Sequence, residues 1–121
     1  MLLPLKTVIV KKPRKDGNFL IYFQYCYSPT HRVLLSSEIA VPKSCWNKKR
    51  QCISKSLPIE IGNDEYLNSE ITRMFKVIER LIELGRSENA PNMGAYVKDR
   101  FSPKVQIEDV AQAPVSSYTT Y

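Results

Sequence analysis

Leu67, Ile71, Met74, Phe75, Ile78, Leu81 and Ile82 recur at spacings of three and four residues. That spacing gathers them on one stripe of an α-helix. Asn63 is placed as its N-cap, Asp64 and Glu65 put negative charge at the positive end of the helix dipole, and Gly85 stands where a left-handed C-cap belongs. A helix that is apolar on one side alone must cover that stripe with another element. The chain before Asn63 therefore has to supply a hydrophobic surface, and only a sheet is large enough to do so.

Three segments have strand character. Residues 7–10, Thr-Val-Ile-Val, are β-branched and run into Lys11, Lys12, Pro13, Arg14, Lys15, Asp16 and Gly17, a basic turn closed by an Asp-Gly pair. Residues 19–27 are rich in aromatic and β-branched side chains and end at a Ser-Pro-Thr-His turn, and residues 32–41 follow and stop at Pro42. Tight connections make these an antiparallel meander. Period 2 places Ile21, Phe23, Tyr25 and Tyr27 on the helix side of the second strand and Tyr22, Gln24 and Cys26 on the open side. On the third strand Val33, Leu35 and Ser37 point inward, and Arg32, Leu34 and Ser36 outward. Residues 42–62 read as an ordered loop with Trp46 as an apolar plug, and residues 93–101 as a short helix after a linker. The expected fold class is α+β: a three-stranded antiparallel sheet packed on one long C-terminal helix, followed by a short helix and a flexible tail. The segments divide as 1–85, 86–103 and 104–121, with disorder expected in the last.

At 121 residues the chain holds one compact unit plus tails, too little for a multi-domain enzyme. Its net charge of +6 is unevenly spread. Residues 1–62 carry eleven Lys and Arg against three Asp and Glu, a net of +8, whereas residues 63–121 sum to −2. A polyanion-facing surface therefore belongs to the first half. No basic start leads into a long apolar run, so neither export nor membrane spanning is expected. Three cysteines without framework spacing suit a reducing cytoplasm.

The chemistry-bearing residues point away from catalysis. His31 is the single histidine, without a nucleophile motif or Gly-rich phosphate loop beside it. Cys26, His31, Cys45 and Cys52 lack the Cys-x-x-Cys spacing of a zinc knuckle. No catalytic residue, metal or cofactor is expected, nor a small-molecule substrate. Nucleic-acid binding collects what remains: Lys11, Lys12, Arg14 and Lys15 in the turn, Tyr22, Gln24, Arg32 and Ser36 on the open sheet face, and Lys48, Lys49 and Arg50 in the loop. Amide and guanidinium groups such as Gln24 and Arg32 can bond base edges, while the lysines neutralise phosphates. A protein-interaction module using the open sheet face or edge, and an RNA-binding module, are the alternatives.

The order of elements carries a resemblance. Val8-Ile9-Val10, Lys15-Asp16-Gly17, Leu20 to Phe23, Arg32, Ser36-Ser37, Ile39 to Pro42, Trp46-Asn47, the basic run 48–50 and Asn63…Leu67…Ile71 together resemble the N-terminal arm-type DNA-binding domain of tyrosine recombinases. The chain is similar to integrases, sometimes labelled transposases, of phages and conjugative transposons of Bacteroides-like bacteria. The resemblance implies a sheet inserted in the major groove of duplex arm-site DNA and a cytoplasmic, nucleoid-associated protein. It also implies that 1–85 is the DNA-binding unit and that 86–103 leads toward a core-binding domain. The catalytic domain, and the contacts with other recombinase protomers, would lie outside this sequence; Tyr118 and Tyr121 are not its nucleophile. Two positions depart from the pattern: Gln24 stands where relatives often carry Arg, and Glu38 where a Gly commonly follows a Thr, which implies an altered bend after strand three.

Overall fold

A computed structural model of the protein describes residues 4–54, 57, 59, 61–108 and 110. Three antiparallel strands, β1 (Leu5–Ile9), β2 (Phe19–Ser28) and β3 (His31–Val41), form a sheet in the order β1-β2-β3. A single 3-10 turn, Lys43–Cys45, leads into a two-stranded hairpin, β4 (Trp46–Asn47) and β5 (Cys52–Ile53). The helices α1 (Asp64–Ser87) and α2 (Met93–Arg100) follow. The α+β layout expected from the sequence is the one observed; the β4-β5 hairpin, within a stretch expected to be loop, is the addition.

Both helices lie on one face of the sheet. Ile21, Phe23, Tyr25 and Leu35 are buried against Ile71, Met74, Val77, Ile78, Leu81 and Ile82 of α1 and Val97 of α2. The ring of Phe23 meets Phe75 and Phe101 edge-on, with centroids 6.4 and 6.1 Å apart, the geometry that aromatic quadrupoles favour. Burial pushes the Tyr25 phenol above its ordinary range, partly opposed by the charge of Arg86. Among the described residues no element packs over the opposite face, which carries Tyr22, Gln24, Arg32, Leu34 and Ser36; at its β3 edge Leu34 and Ser36 border Lys98 and Phe101.

The cap of α1 is as expected at its start: Asn63 Oδ1 accepts from the Tyr66 N–H at 3.0 Å. Its end differs. The helix continues through Gly85 to Ser87, and Asn89, at φ 55°, takes the left-handed position. Asn89 N–H donates to Arg86 C=O at 3.2 Å and Ala90 N–H to Gly85 C=O at 2.9 Å, the paired bonds of a Schellman motif. Gly85 instead marks a close approach, since a Cβ there would sit 2.8 Å from the Met93 side chain. Gly94 serves α2 similarly, its Cα facing the ring of Tyr27. Beyond α2, Arg73 donates to Pro103 C=O at 2.6 Å and to Val105 C=O, and pairs with Glu70 at 3.1 Å. Val110 is buried; residues 109 and 111–121 of the expected tail lie outside the described residues.

The altered bend falls within β3 rather than after it. Ile21 pairs with Ile39 but Tyr22 pairs with Ser36, so Ser37 and Glu38 bulge out of the ladder. Ser37 Oγ fills the gap, donating to Ile21 C=O at 2.6 Å and accepting from Ile39 N–H at 3.0 Å. Glu38 is left at φ 63°, where a Cβ crowds its own carbonyl. Glu38→Gly is expected to raise stability by about 1 kcal/mol, the larger part of the left-handed cost less the entropy of glycine. Thermal unfolding would then move up by a few degrees; an unchanged or lower midpoint contradicts the assignment. Gly94→Ala, by contrast, drives a methyl into Tyr27 and should cost about 1–3 kcal/mol, read as a lower denaturant midpoint.

Candidate nucleic-acid interface

The outer face is ordered by the register of the sheet. Lys6, Gln24 and Leu34 lie side by side across the three strands, as do Val8, Tyr22 and Ser36, and Cys26 lies opposite Arg32. Leu34, on the edge strand β3, is 49% exposed, a large apolar side chain left open on this face. Arg32 Nη1 donates to Gln24 Oε1 at 3.2 Å, joining the two residues that the sequence offers as base readers. Ser36 Oγ accepts from the Glu38 N–H at 3.0 Å, so its hydroxyl also braces the bulge.

The β4-β5 hairpin extends this face past the edge strand β1. Its tip is Lys48-Lys49-Arg50-Gln51, with Gln51 at φ 56° closing the turn. Asn47 organises the tip: its carbonyl accepts from Gln51 N–H at 2.8 Å and its Oδ1 from Arg50 N–H at 2.8 Å. Two amide side chains then fix the hairpin to the body. Gln51 Oε1 accepts the outward N–H of Thr7 at 2.8 Å, satisfying part of the β1 edge. Asn68, on α1, grips the Ile53 peptide at both ends, accepting from its N–H at 2.8 Å and donating to its C=O at 2.9 Å.

A groove of about 490 Å³ runs between the hairpin and the sheet. It is lined by Val8, Tyr22 and Trp46 and by Lys6, Lys11, Lys43 and Lys48, and no carboxylate is among its described lining residues. Trp46 is half-buried and packs on the core, as a plug does, while also lining this groove. The structure thus brings Lys11, Tyr22 and Lys48 together, next to the Gln24–Arg32 pair through Lys6. Lys12, Lys15 and Lys49 are exposed on the two turns. Two expected residues are drawn elsewhere. Arg14 lies 3.9 Å from Asp16 and lines a depression with Glu38 and Leu67, and Arg50 lines another with Phe75, Lys76 and Glu79 of α1.

Lys6, Val8 and Lys43 are additions that the sequence reading missed. Lys6 and Val8 could have been found by carrying period 2 from Tyr22 across to β1; Lys43 is placed by the turn after Pro42 and has no local pattern. Elsewhere, His31 is accounted for by its turn, with Nδ1 2.9 Å from Ser28 Oγ and its ring stacked on Tyr27. Among the described residues no three His, Cys, Asp or Glu side chains are grouped to hold a metal, and Cys26, Cys45 and Cys52 are free thiols. No described helix is long and apolar enough to cross a membrane.

Residues 7–92 match the family model described as the arm DNA-binding domain, well over half of the chain, taking in the sheet from Thr7 onward, the hairpin and the long helix. The chain belongs to the arm DNA-binding domain family. It is accordingly a DNA-binding domain of a non-catalytic kind, typical of tyrosine recombinases and integrases. No curated protein and no solved structure matches it.

Because Asn68 is the partner of β5 in place of a third strand, Asn68→Ala leaves both polar groups of the Ile53 peptide unpaired. A loss of about 1–3 kcal/mol is expected, measured by chemical denaturation. A change within error would show that water replaces the side chain.

Proposed function

We propose that the chain recognises duplex arm-site DNA sequence-specifically, as a module of a tyrosine recombinase, integrase or transposase. In this reading the outer sheet face enters the major groove and the lysine-lined groove seats a flanking phosphodiester strand. The observation that carries the reading is the one-sidedness of the sheet: helices cover one face, and the bare face continues into a groove lined by four lysines. Size supports it. Three strands spaced about 4.8 Å apart span roughly 10 Å between outer backbones, which suits a major groove about 12 Å wide and exceeds a minor groove of about 6 Å. Leu34 supplies an apolar surface for a thymine methyl, and Lys6, Lys11, Lys43 and Lys48 supply the counter-charge.

The same reading takes residues 1–85 as the DNA-binding unit, 86–103 as the approach to a core-binding domain and 104–121 as a tail. The anchoring runs past Phe101 into the first residues of that tail: Val97 is buried, Phe101 meets Phe23, Arg73 holds the carbonyls of Pro103 and Val105, and Val110 is buried. Strand exchange, contacts with other recombinase protomers and a nucleoid location in the cytoplasm belong to the proposal, with chemistry supplied by a catalytic domain elsewhere.

Duplex affinity should fall steeply with salt, with a log-log slope of about 0.9 per phosphate neutralised. Lys6→Ala and Lys48→Ala should each weaken every duplex alike and lower that slope by about 1. Arg14→Ala, at a charge already paired with Asp16, should change it less. The reading fails if the slope is flat, or if an RNA duplex, with its narrow major groove, competes as well as DNA.

A further inference from the structure

We infer that Arg32 is the base-reading side chain of the outer face, that its target is guanine, and that Gln24 is a positioning residue which aims it. The inference rests on the DNA-binding reading above and assigns its specificity. Gln24 stands opposite Leu34 and Arg32 opposite Cys26, so the two side chains are diagonal neighbours across β2 and β3. Arg32 Nη1 donates to Gln24 Oε1 at 3.2 Å, and Gln24 Nε2 donates to Cys26 Sγ at 3.7 Å. The orientation of the amide follows from chemistry, because a guanidinium has no acceptor and can only be met by the oxygen end.

This arrangement removes the usual use of a glutamine. To read adenine, a glutamine accepts from N6 and donates to N7 in the same plane. Here the accepting oxygen is held by a cationic donor, a stronger partner than a neutral amine, and the nitrogen is turned along its own strand toward Cys26. The groups left without any partner atom are donors: the remaining N–H groups of Arg32 make no hydrogen bond among the described residues, and a base amine approaching Gln24 Oε1 would have to share that oxygen with the guanidinium. A donor-only fork finds its complement at guanine, whose O6 and N7 are both acceptors in the major groove. At adenine or cytosine it would meet an amine donor. Gln24 also fixes the guanidinium before binding, so less side-chain freedom is lost when the base is engaged.

The test is selection from a pool of random-sequence DNA duplexes at fixed ionic strength, using the full 121-residue chain. Recovered duplexes are expected to share a guanine whose replacement by 7-deazaguanine weakens binding roughly tenfold or more. Arg32→Ala should abolish that preference. Gln24→Leu should reduce it several-fold, and Gln24→Glu should restore it, since a carboxylate accepts the same bond, while weakening all duplexes. Both positions lie on the exposed face, and unchanged thermal melting confirms that each variant is folded. The inference is overturned if Arg32→Ala leaves the preference intact, or if Gln24→Leu erases an adenine preference and spares guanine. Duplex binding without base preference overturns the inference alone; absence of duplex binding at low salt overturns it together with the DNA-binding reading.

Discussion

Phe23 is fully buried, and its ring is boxed by Phe75 of α1 and Phe101 beyond α2. This contact, with Ile21 and Tyr25 on either side, decides which face of the sheet the helices take. A strand alternates its side chains with period 2, so burying these three forces Tyr22, Gln24 and Cys26 to the opposite side. A slip of one residue in β2 would exchange the two sets and place the aromatic residues in water. The basic, polar face is therefore a consequence of core packing, held by the same apolar area that stabilises the domain.

The sequence was most legible where structure is decided by neighbours a few residues away. The stripe from Leu67 to Ile82, the Asn63 cap, the Asp16-Gly17 turn and the in-out alternation of Phe19 to Tyr27 are all periodic or local signals, and each appears in the structure as read. Glu38 was legible in part: a non-glycine residue at a bend was noticed, but its place inside β3 depends on the pairing with Ile21 and Tyr22, which no local pattern encodes. Gly85 looked like a cap because glycine commonly ends helices; its actual role is set by Met93 and Tyr96, which the turn at Asn89 brings back against it.

The β4-β5 hairpin was illegible for a related reason. Its strands are two residues each, below what periodicity can register, and what holds them is remote in sequence. Thr7 reaches Gln51 across 44 positions and Asn68 reaches Ile53 across 15. The charge of residues 48–50 was plain from the sequence, but its division was not: Lys48 turns to the groove and Arg50 toward α1. Register likewise, rather than composition, recruits Lys6 and Val8.

The anchoring of that hairpin separates scaffold from message. Asn47, Gln51 and Asn68 make the bonds that shape and seat it, whereas residues 48–50 enter the described hydrogen bonds through their own main chain and not through their side chains. Residues 48–50 thus form an exchangeable cassette. Evolution, or an engineer, can rewrite its three side chains to retune the contact with a ligand while the frame beneath stays as it is.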